Sequence, residues 1–429
     1  MNESVKKEIL VVDDEKNILS SLEGILSDEG FSVLKAGDGE SALDLVRSKS
    51  PDLVMLDIWL PGMDGIQVLK AIKAIDPDTK VIIMSGHGSI EAAVMTTKIG
   101  AFDFIEKPLS MENVISVIKA AFSAPTEEKE KGEVKAPLLL PKKKGAPNIA
   151  STDRPQRTLK KSMVLCGSGL HSGVKTGLIL TPLPSNSGII FGDISSGATV
   201  PAHARYVDST AYATTIKRGA VSVRTIEHIM AALHMYQITN LLIKVGDEIP
   251  IMDGSAVDFC QLVEEAEIRD QKEFIEEIVI DKLISVKGIR EGEEISVEPL
   301  DHLRVSYHLD YPEPIGIQDY CFDYTDGAQF KKEIAPARTF GFIKDLEGLE
   351  EKGLGGGGKL NNIILVDNEK VINTELRFKD EFVRHKILDI LGDFYLLGRP
   401  IRGHIKASMT GHSENFMLVN KILKELLGG

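Results

Sequence analysis

EILVVD, residues 8–13, sets four apolar residues between two acids and is the first of five similar runs. FSVLKA (31–36), DLVMLD (52–57), KVIIMS (80–85) and AFDFIE (101–106) follow, and each reads as a strand. The stretches near residues 16–28, 39–48, 65–74, 89–99 and 111–122 have helical periodicity. Five βα units in series predict an α/β doubly wound fold with a five-stranded parallel sheet over residues 1–123. Its site is expected at the carboxyl ends of the strands.

Those ends carry chemistry. Asp13 and Asp14 close the first run, Asp57 the third and Ser85 the fourth, while Lys107 follows the fifth. Three carboxylates side by side repel unless a hard divalent cation joins them, and Mg²⁺ with oxygen ligands is the natural choice. Three acids, a hydroxyl and an ammonium suit phosphoryl transfer to a carboxylate. The blocks VVDDE, LDIWLPGMDG, MSGHG and FIEKP resemble the receiver domain of two-component response regulators. The resemblance implies Asp57 as phosphoacceptor, with Asp13 and Asp14 and the Trp59 carbonyl at the Mg²⁺. It also implies Ser85 and Lys107 as phosphate contacts, Phe104 as the aromatic switch residue, and a histidine kinase as phosphodonor.

The chain of 429 residues is long for one core, so two or three domains are expected. A net charge of −14 argues against bulk nucleic-acid binding. Cys166, Cys260 and Cys321 are few and far apart. They form no disulfide framework and no CxxC metal knuckle, which fits a reducing, cytoplasmic setting. The start MNESVKKEILVVDD lacks the features of a signal peptide, and no run of 18 apolar residues predicts a membrane span. Residues 124–156 are rich in proline, glycine and charge and read as a flexible linker. Their KKK run is a solvated stretch, with transient contact to an acidic membrane surface as the alternative. From residue 157 onward, short strands mix with a few helices, among them RTIEHIMAALHMY and DFCQLVEEAEI, giving an α+β expectation.

The third of these helices is EFVRHKILDILGDFYLL, residues 381–397. On a helical wheel Glu381, His385, Asp389 and Asp393 share one side, with Val383, Ile387, Ile390, Leu391 and Phe394 opposite. The stripe is either the solvated face of an amphipathic helix or a set of ligands. His385 and Asp389, at i and i+4, can chelate one ion. Gly392 amid the stripe costs about 1 kcal/mol relative to alanine, which suggests close approach by another group. Elsewhere, Glu227 and His228 lie on a largely apolar helix, one able to bind metal while the other reaches a water. His412 lies beside Gly411, where Asp393 could orient and charge-stabilise it. Thr339 is a small donor between Arg338 and Phe340.

GSGLHSG, RTIEHIMAAL, EIPIMDGSA, ARTFGF, FVRHKILDILGD and TGHSEN together resemble UDP-3-O-acyl-N-acetylglucosamine deacetylase, the zinc amidase of lipid A biosynthesis. The resemblance runs from about residue 157 to the end. It implies an α+β fold of two similar halves, residues 157–275 and 276–429, with helices sandwiched between sheets. It implies Zn²⁺ on His228, His385 and Asp389, Glu227 as general base, Thr339 at the oxyanion, and His412 held by Asp393 as general acid. Lys386 would face the nucleotide diphosphate, and Phe340 and His171 would contact the UDP-linked acyl-glucosamine substrate. Thr214 and Thr215 would lie near the acyl entrance. Met409 departs from the family, which often has lysine there. The glycine-rich GLGGGGKLNN is a second departure.

The reading is a zinc-dependent deacetylase fused to a receiver whose phosphorylation at Asp57 controls it, with a dimer through the receiver among its expected assemblies. The rival reading is a signalling or scaffold protein whose deacetylase domain binds ligand without turnover.

Overall fold

The computed structural model describes residues 7–427 apart from 61, 86–95, 97, 98, 108, 110, 124–147, 195–197, 346–354 and 359–361. The chain divides into two compact units, Met1–Val134 and Lys135–Gly429.

In the first unit Glu8–Val12, Ser32–Ala36, Leu53–Asp57, Lys80–Ser85 and Asp103–Glu106 form one sheet. Numbered along the chain, their order is 2-1-3-4-5 and every pairing is parallel. Alternate side chains enter two cores. Leu10, Val12, Val54 and Leu56 face one, and Ile9, Val11, Leu53 and Met55 face the other. Burial on both faces explains why these runs are continuously apolar. Asp38 caps the helix Gly39–Lys49 by accepting the Ser41 N–H at 2.8 Å. At Gly65 a Cβ would lie 2.2 Å from the Asp57 carbonyl oxygen, so the chain can double back on the third strand only with glycine there. The helix expected near 89–99 lies almost wholly outside the described residues.

The second unit has a five-stranded sheet in the order Thr199–Pro201, Ile189–Asp193, Leu241–Val245, Lys175–Pro182 and Met163–Ser168. Its larger, seven-stranded sheet is organised around Ile401–Ser408, which pairs with Ile268–Val279, Glu294–Glu298 and Leu303–Asp310. A single apolar core takes side chains from both sheets and from the helices Glu227–Met235 and Glu381–Tyr395. No helix among the described residues is long and apolar enough to cross a membrane.

Two expected boundaries move. Ile149–Leu159 is a strand, inside the stretch read as linker to residue 156. Its polar run STDRPQRT pairs antiparallel with Ile268–Val279 and stays half exposed, so no apolar alternation reveals it. The expected break at residue 275 also falls within the strand Ile268–Val279, which is continuous there.

The helices Glu227–Met235 and Glu381–Tyr395 approach backbone to backbone at Gly392. A Cβ on Gly392 would stand 2.1 Å from the Glu227 carbonyl oxygen. Close approach is therefore the reason for glycine in mid-helix. Gly392→Ala should destabilise the second unit by about 1–3 kcal/mol through overpacking. It should also displace Glu227 and lower turnover. Chemical denaturation and an activity assay would check both, and parental values in each would remove the contact from the account.

Candidate functional site

The Glu381–Tyr395 helix is buried almost all round. Glu381, His385, Asp389 and Asp393 are each 5 % exposed or less. The solvated-face alternative is thus excluded, and each polar group of the stripe has a partner inside the protein.

His228, His385 and Asp389 each place a ligand atom within 4.8 Å of the others. His385 Nε2 lies 3.6 Å and His228 Nε2 4.0 Å from Asp389 Oδ1. The two rings meet edge to face, 5.1 Å apart. His385 Nδ1–H donates to the Ala337 carbonyl at 3.0 Å, which leaves the Nε2 lone pair facing the cluster. Burial lowers the pKa of His385 and pushes that of His228 down to about 3, so both rings are neutral. Burial alone would raise Asp389, but the Lys386 and His412 cations beside it hold it well below the usual carboxylate range. Two neutral imidazole nitrogens and one carboxylate oxygen are donors of the kind an open zinc site uses, so these residues fit that ion.

Glu227 and His412 flank this cluster. Burial pushes Glu227 up to about 7, with Asp389 and Asp393 adding to it and His412 opposing. Its Oε2 accepts the Thr214 N–H at 3.1 Å. His412 Nδ1–H donates to Asp393 Oδ2 at 2.8 Å. Burial would lower His412, but Asp393, Asp389 and Glu227 outweigh it and raise the ring to about 10. Asp393 also accepts the Thr214 hydroxyl at 2.7 Å and the Asn415 amide at 2.9 Å. Thr214, expected near an acyl entrance, thus touches both the Glu227 and the Asp393 carboxylates. Asn415 was not legible as a site residue, since a lone amide three residues past His412 carries no pattern.

Glu381, the one stripe residue to which no ligand or catalytic role is assigned above, is not solvated either. It is fully buried and accepts from the Arg338 backbone N–H at 3.1 Å and from Arg338 Nε at 2.8 Å. That pair pins the segment leading into Thr339, which is half buried and whose N–H donates to the Gly254 carbonyl at 2.8 Å. The Phe340 ring lies edge-on to His385, 6.3 Å away. Lys386 Nζ reaches Asp389 Oδ2 at 3.3 Å, so it sits on the metal-type cluster. His171 is buried, in a loop held by Glu248, whose carboxylate accepts the His171 and Ser172 N–H groups and the Thr225 hydroxyl. Glu248 is a further residue that sequence reading missed. Gly357 packs on the same loop, where a Cβ would clash with the Gly169 carbonyl oxygen. Met409 adopts a left-handed backbone with φ 54°, and its Sδ accepts the Asp310 N–H.

In the first unit the ligand atoms of Asp13, Asp14 and Asp57 lie within 4.8 Å of one another. Lys107 Nζ bridges Asp13 Oδ2 at 2.7 Å and Asp57 Oδ2 at 2.8 Å. Burial raises the Asp57 pKa, with Lys107 opposing and Asp13 adding to the rise. Ser85 is buried, and its carbonyl accepts the Lys107 N–H. A cluster of hard oxygen donors fits Mg²⁺. The Trp59 side chain is 67 % exposed, whereas the side chain of Phe104 lies outside the described residues.

A hydrolase domain preceded by a response-regulator receiver is what these two sites define. The chain belongs to the UDP-3-O-acyl N-acetylglycosamine deacetylase family, whose profile matches residues 156–424. The response regulator receiver domain profile matches residues 9–119. The chain is 46% identical to the UDP-3-O-acyl-N-acetylglucosamine deacetylase of Myxococcus xanthus, over 63% of this chain and 87% of that protein. It is 41% identical to the enzyme of that name in Helicobacter hepaticus, over 63% and 90%. Among solved structures it is similar to NtrX from Brucella abortus, 45% identical, with a TM-score of 0.27. That match covers 28% of this chain and spans 27% of NtrX.

Proposed function

We propose that the chain is a zinc-dependent amidase that removes the N-acetyl group from UDP-3-O-(3-hydroxyacyl)-N-acetylglucosamine in lipid A biosynthesis, under control of phosphorylation at Asp57. The observation that carries the catalytic part is the placement of Glu227 and carboxylate-backed His412 around one buried His–His–Asp donor set.

His228, His385 and Asp389 would hold the ion. Zinc, when bound, supplies a Lewis acid that acidifies water and polarises an amide carbonyl. Glu227 takes the proton of the attacking water as the new C–O bond forms. Thr339 donates its hydroxyl to the developing oxyanion. His412 enters charged, with Nδ1–H committed to Asp393 and Nε2–H left for the leaving nitrogen. Cleavage of the C–N bond with proton transfer from His412 gives acetate and a free glucosamine amine. Asp393 positions the acid, and Thr214 ties Asp393 to Glu227. Phe340 and His171 are assigned to substrate contact. Lys386 is assigned to the diphosphate, which it would reach by leaving Asp389. The unit is read as two similar halves with helices between their sheets.

For the receiver, Asp57 is the phosphoacceptor, Ser85 and Lys107 are the phosphate contacts and Phe104 is the switch residue, with a histidine kinase as donor. Phosphorylation draws Lys107 onto the phosphoryl oxygens and off Asp13, a differential contact of the kind a two-state switch needs. Beryllofluoride with Mg²⁺ should therefore change the deacetylation rate by about fivefold or more. The effect should vanish in Asp57→Asn. Equal rates and equal oligomer mass in both states would reject control by the receiver.

A further inference from the structure

Glu248 is a buried carboxylate to which the chemistry above gives no part. Its main chain is held firmly. The Ile249 N–H donates to the Arg224 carbonyl and the Arg224 N–H to the Asp247 carbonyl, each at 3.0 Å. The Thr176 hydroxyl donates to the Glu248 carbonyl at 3.0 Å. The side chain is therefore delivered to one place.

That place is the junction of two segments of the site. Oε1 accepts the His171 N–H at 2.9 Å and the Thr225 hydroxyl at 3.1 Å. Oε2 accepts the Ser172 N–H at 2.9 Å. A Cβ on Gly169 would lie 2.2 Å from Oε2, so the GSGLHSG loop folds around the carboxylate only with glycine there. A second tether on the loop comes from the Gly356 and Gly357 N–H groups. They donate to the His171 and Leu170 carbonyls at 3.1 and 3.0 Å.

Thr225 stands two residues before Glu227, where the helix that carries Glu227 and His228 begins. Its φ is 61°, a left-handed backbone that a β-branched residue keeps only when its surroundings hold it. The Glu248 carboxylate supplies that hold through the Thr225 hydroxyl. All three groups bound to the carboxylate are donors, which explains glutamate rather than glutamine. A carboxylate offers two acceptor oxygens, whereas an amide would set its own N–H against one of these donors. Burial would raise the Glu248 pKa, but hydrogen bonds from Ser172 and His171 outweigh it and hold the group below its usual value.

We propose that Glu248 is a positioning residue for substrate binding. Its one carboxylate fastens the His171 loop to the entry of the Glu227–Met235 helix, and so sets His171 relative to the His228 cluster. Glu248 acts through His171 and does not itself touch substrate. The proposal rests on the assignment of His171 to substrate contact.

The test is a double-mutant cycle on the full-length protein, read as KM and kcat for acetate release from the UDP-linked acyl sugar. Glu248→Gln should raise KM about tenfold, with kcat lowered by less than about threefold and zinc content at the parental value. His171→Ala should raise KM by at least as much. In the double variant KM should match that of His171→Ala within about twofold, because a residue that acts through another adds nothing once the other is gone. A residue that only supports the fold would add its loss to that of His171→Ala. Such additivity, a parental KM in Glu248→Gln, or a loss that follows zinc content would overturn the positioning role alone. A parental KM in His171→Ala would overturn the assignment of His171, and the proposal with it. Should Glu248→Gln fail to fold, Thr225→Val takes its place in the cycle, since it removes one donor from the same carboxylate. Its rise in KM should likewise disappear in the His171→Ala background, and additivity there would overturn the proposal.

Discussion

Glu227→Gln is expected to lower kcat for acetate release by about two to four orders of magnitude, the usual contribution of a positioned general base. The substitution keeps the local structure, because a glutamine Oε1 still accepts the Thr214 N–H that Glu227 now accepts at 3.1 Å. What it removes is the proton acceptor. Zinc content should be unchanged, since Glu227 is outside the proposed donor set of His228, His385 and Asp389. Metal analysis on the purified variant therefore separates loss of base from loss of metal. Asp393→Asn should give a smaller version of the same split, because His412 keeps a hydrogen-bond acceptor but loses the negative charge behind it. A Glu227→Gln rate equal to the parent, with zinc in place, would remove Glu227 from the mechanism.

The second large effect concerns stability. Arg338→Met leaves the fully buried Glu381 carboxylate without its cation, and breaking a buried pair on one side costs about 3–5 kcal/mol. The double variant Arg338→Met/Glu381→Leu should recover part of that loss, because no unpaired charge remains although the Arg338 and Arg377 N–H groups lose their acceptor. The measurement must follow one unit of a two-unit chain. Trp59 is the single tryptophan and lies in the receiver, so its fluorescence reports that unit. Far-UV circular dichroism also registers the deacetylase unit. The expected result is a shifted dichroism transition with an unshifted fluorescence transition. Equal stability of Arg338→Met and parent would show that the pair contributes nothing net. The same variant should also slow turnover, since the pair anchors the approach to Thr339 and, through Ala337, to His385.

Family membership and much of the site were legible in the sequence, for local reasons. EILVVD and DLVMLD are uninterrupted apolar runs ending in acids. Parallel strands place such ends side by side, so Asp13, Asp14 and Asp57 meet without further information. His385 and Asp389 meet because residues four apart on a helix share a face. The strand Ile149–Leu159 was illegible for the opposite reason. It is polar and half exposed, and its partner Ile268–Val279 lies more than a hundred residues away.

The polar stripe of residues 381–397 marks the boundary between what is local and what is not. Its amino acids determined that Glu381, His385, Asp389 and Asp393 lie together. They could not determine whether that side faces water, because a helix wheel carries no information about what packs against it. Tertiary structure decided the matter by bringing four distant segments onto the stripe. Arg338 neutralises Glu381, His228 joins His385 and Asp389, and Thr214 with His412 and Asn415 engages Asp393. The Glu227 carbonyl fills the space that Gly392 leaves open. Each contact spans a long stretch of chain, and each is worth making only because burial removes the water that would otherwise solvate these charges.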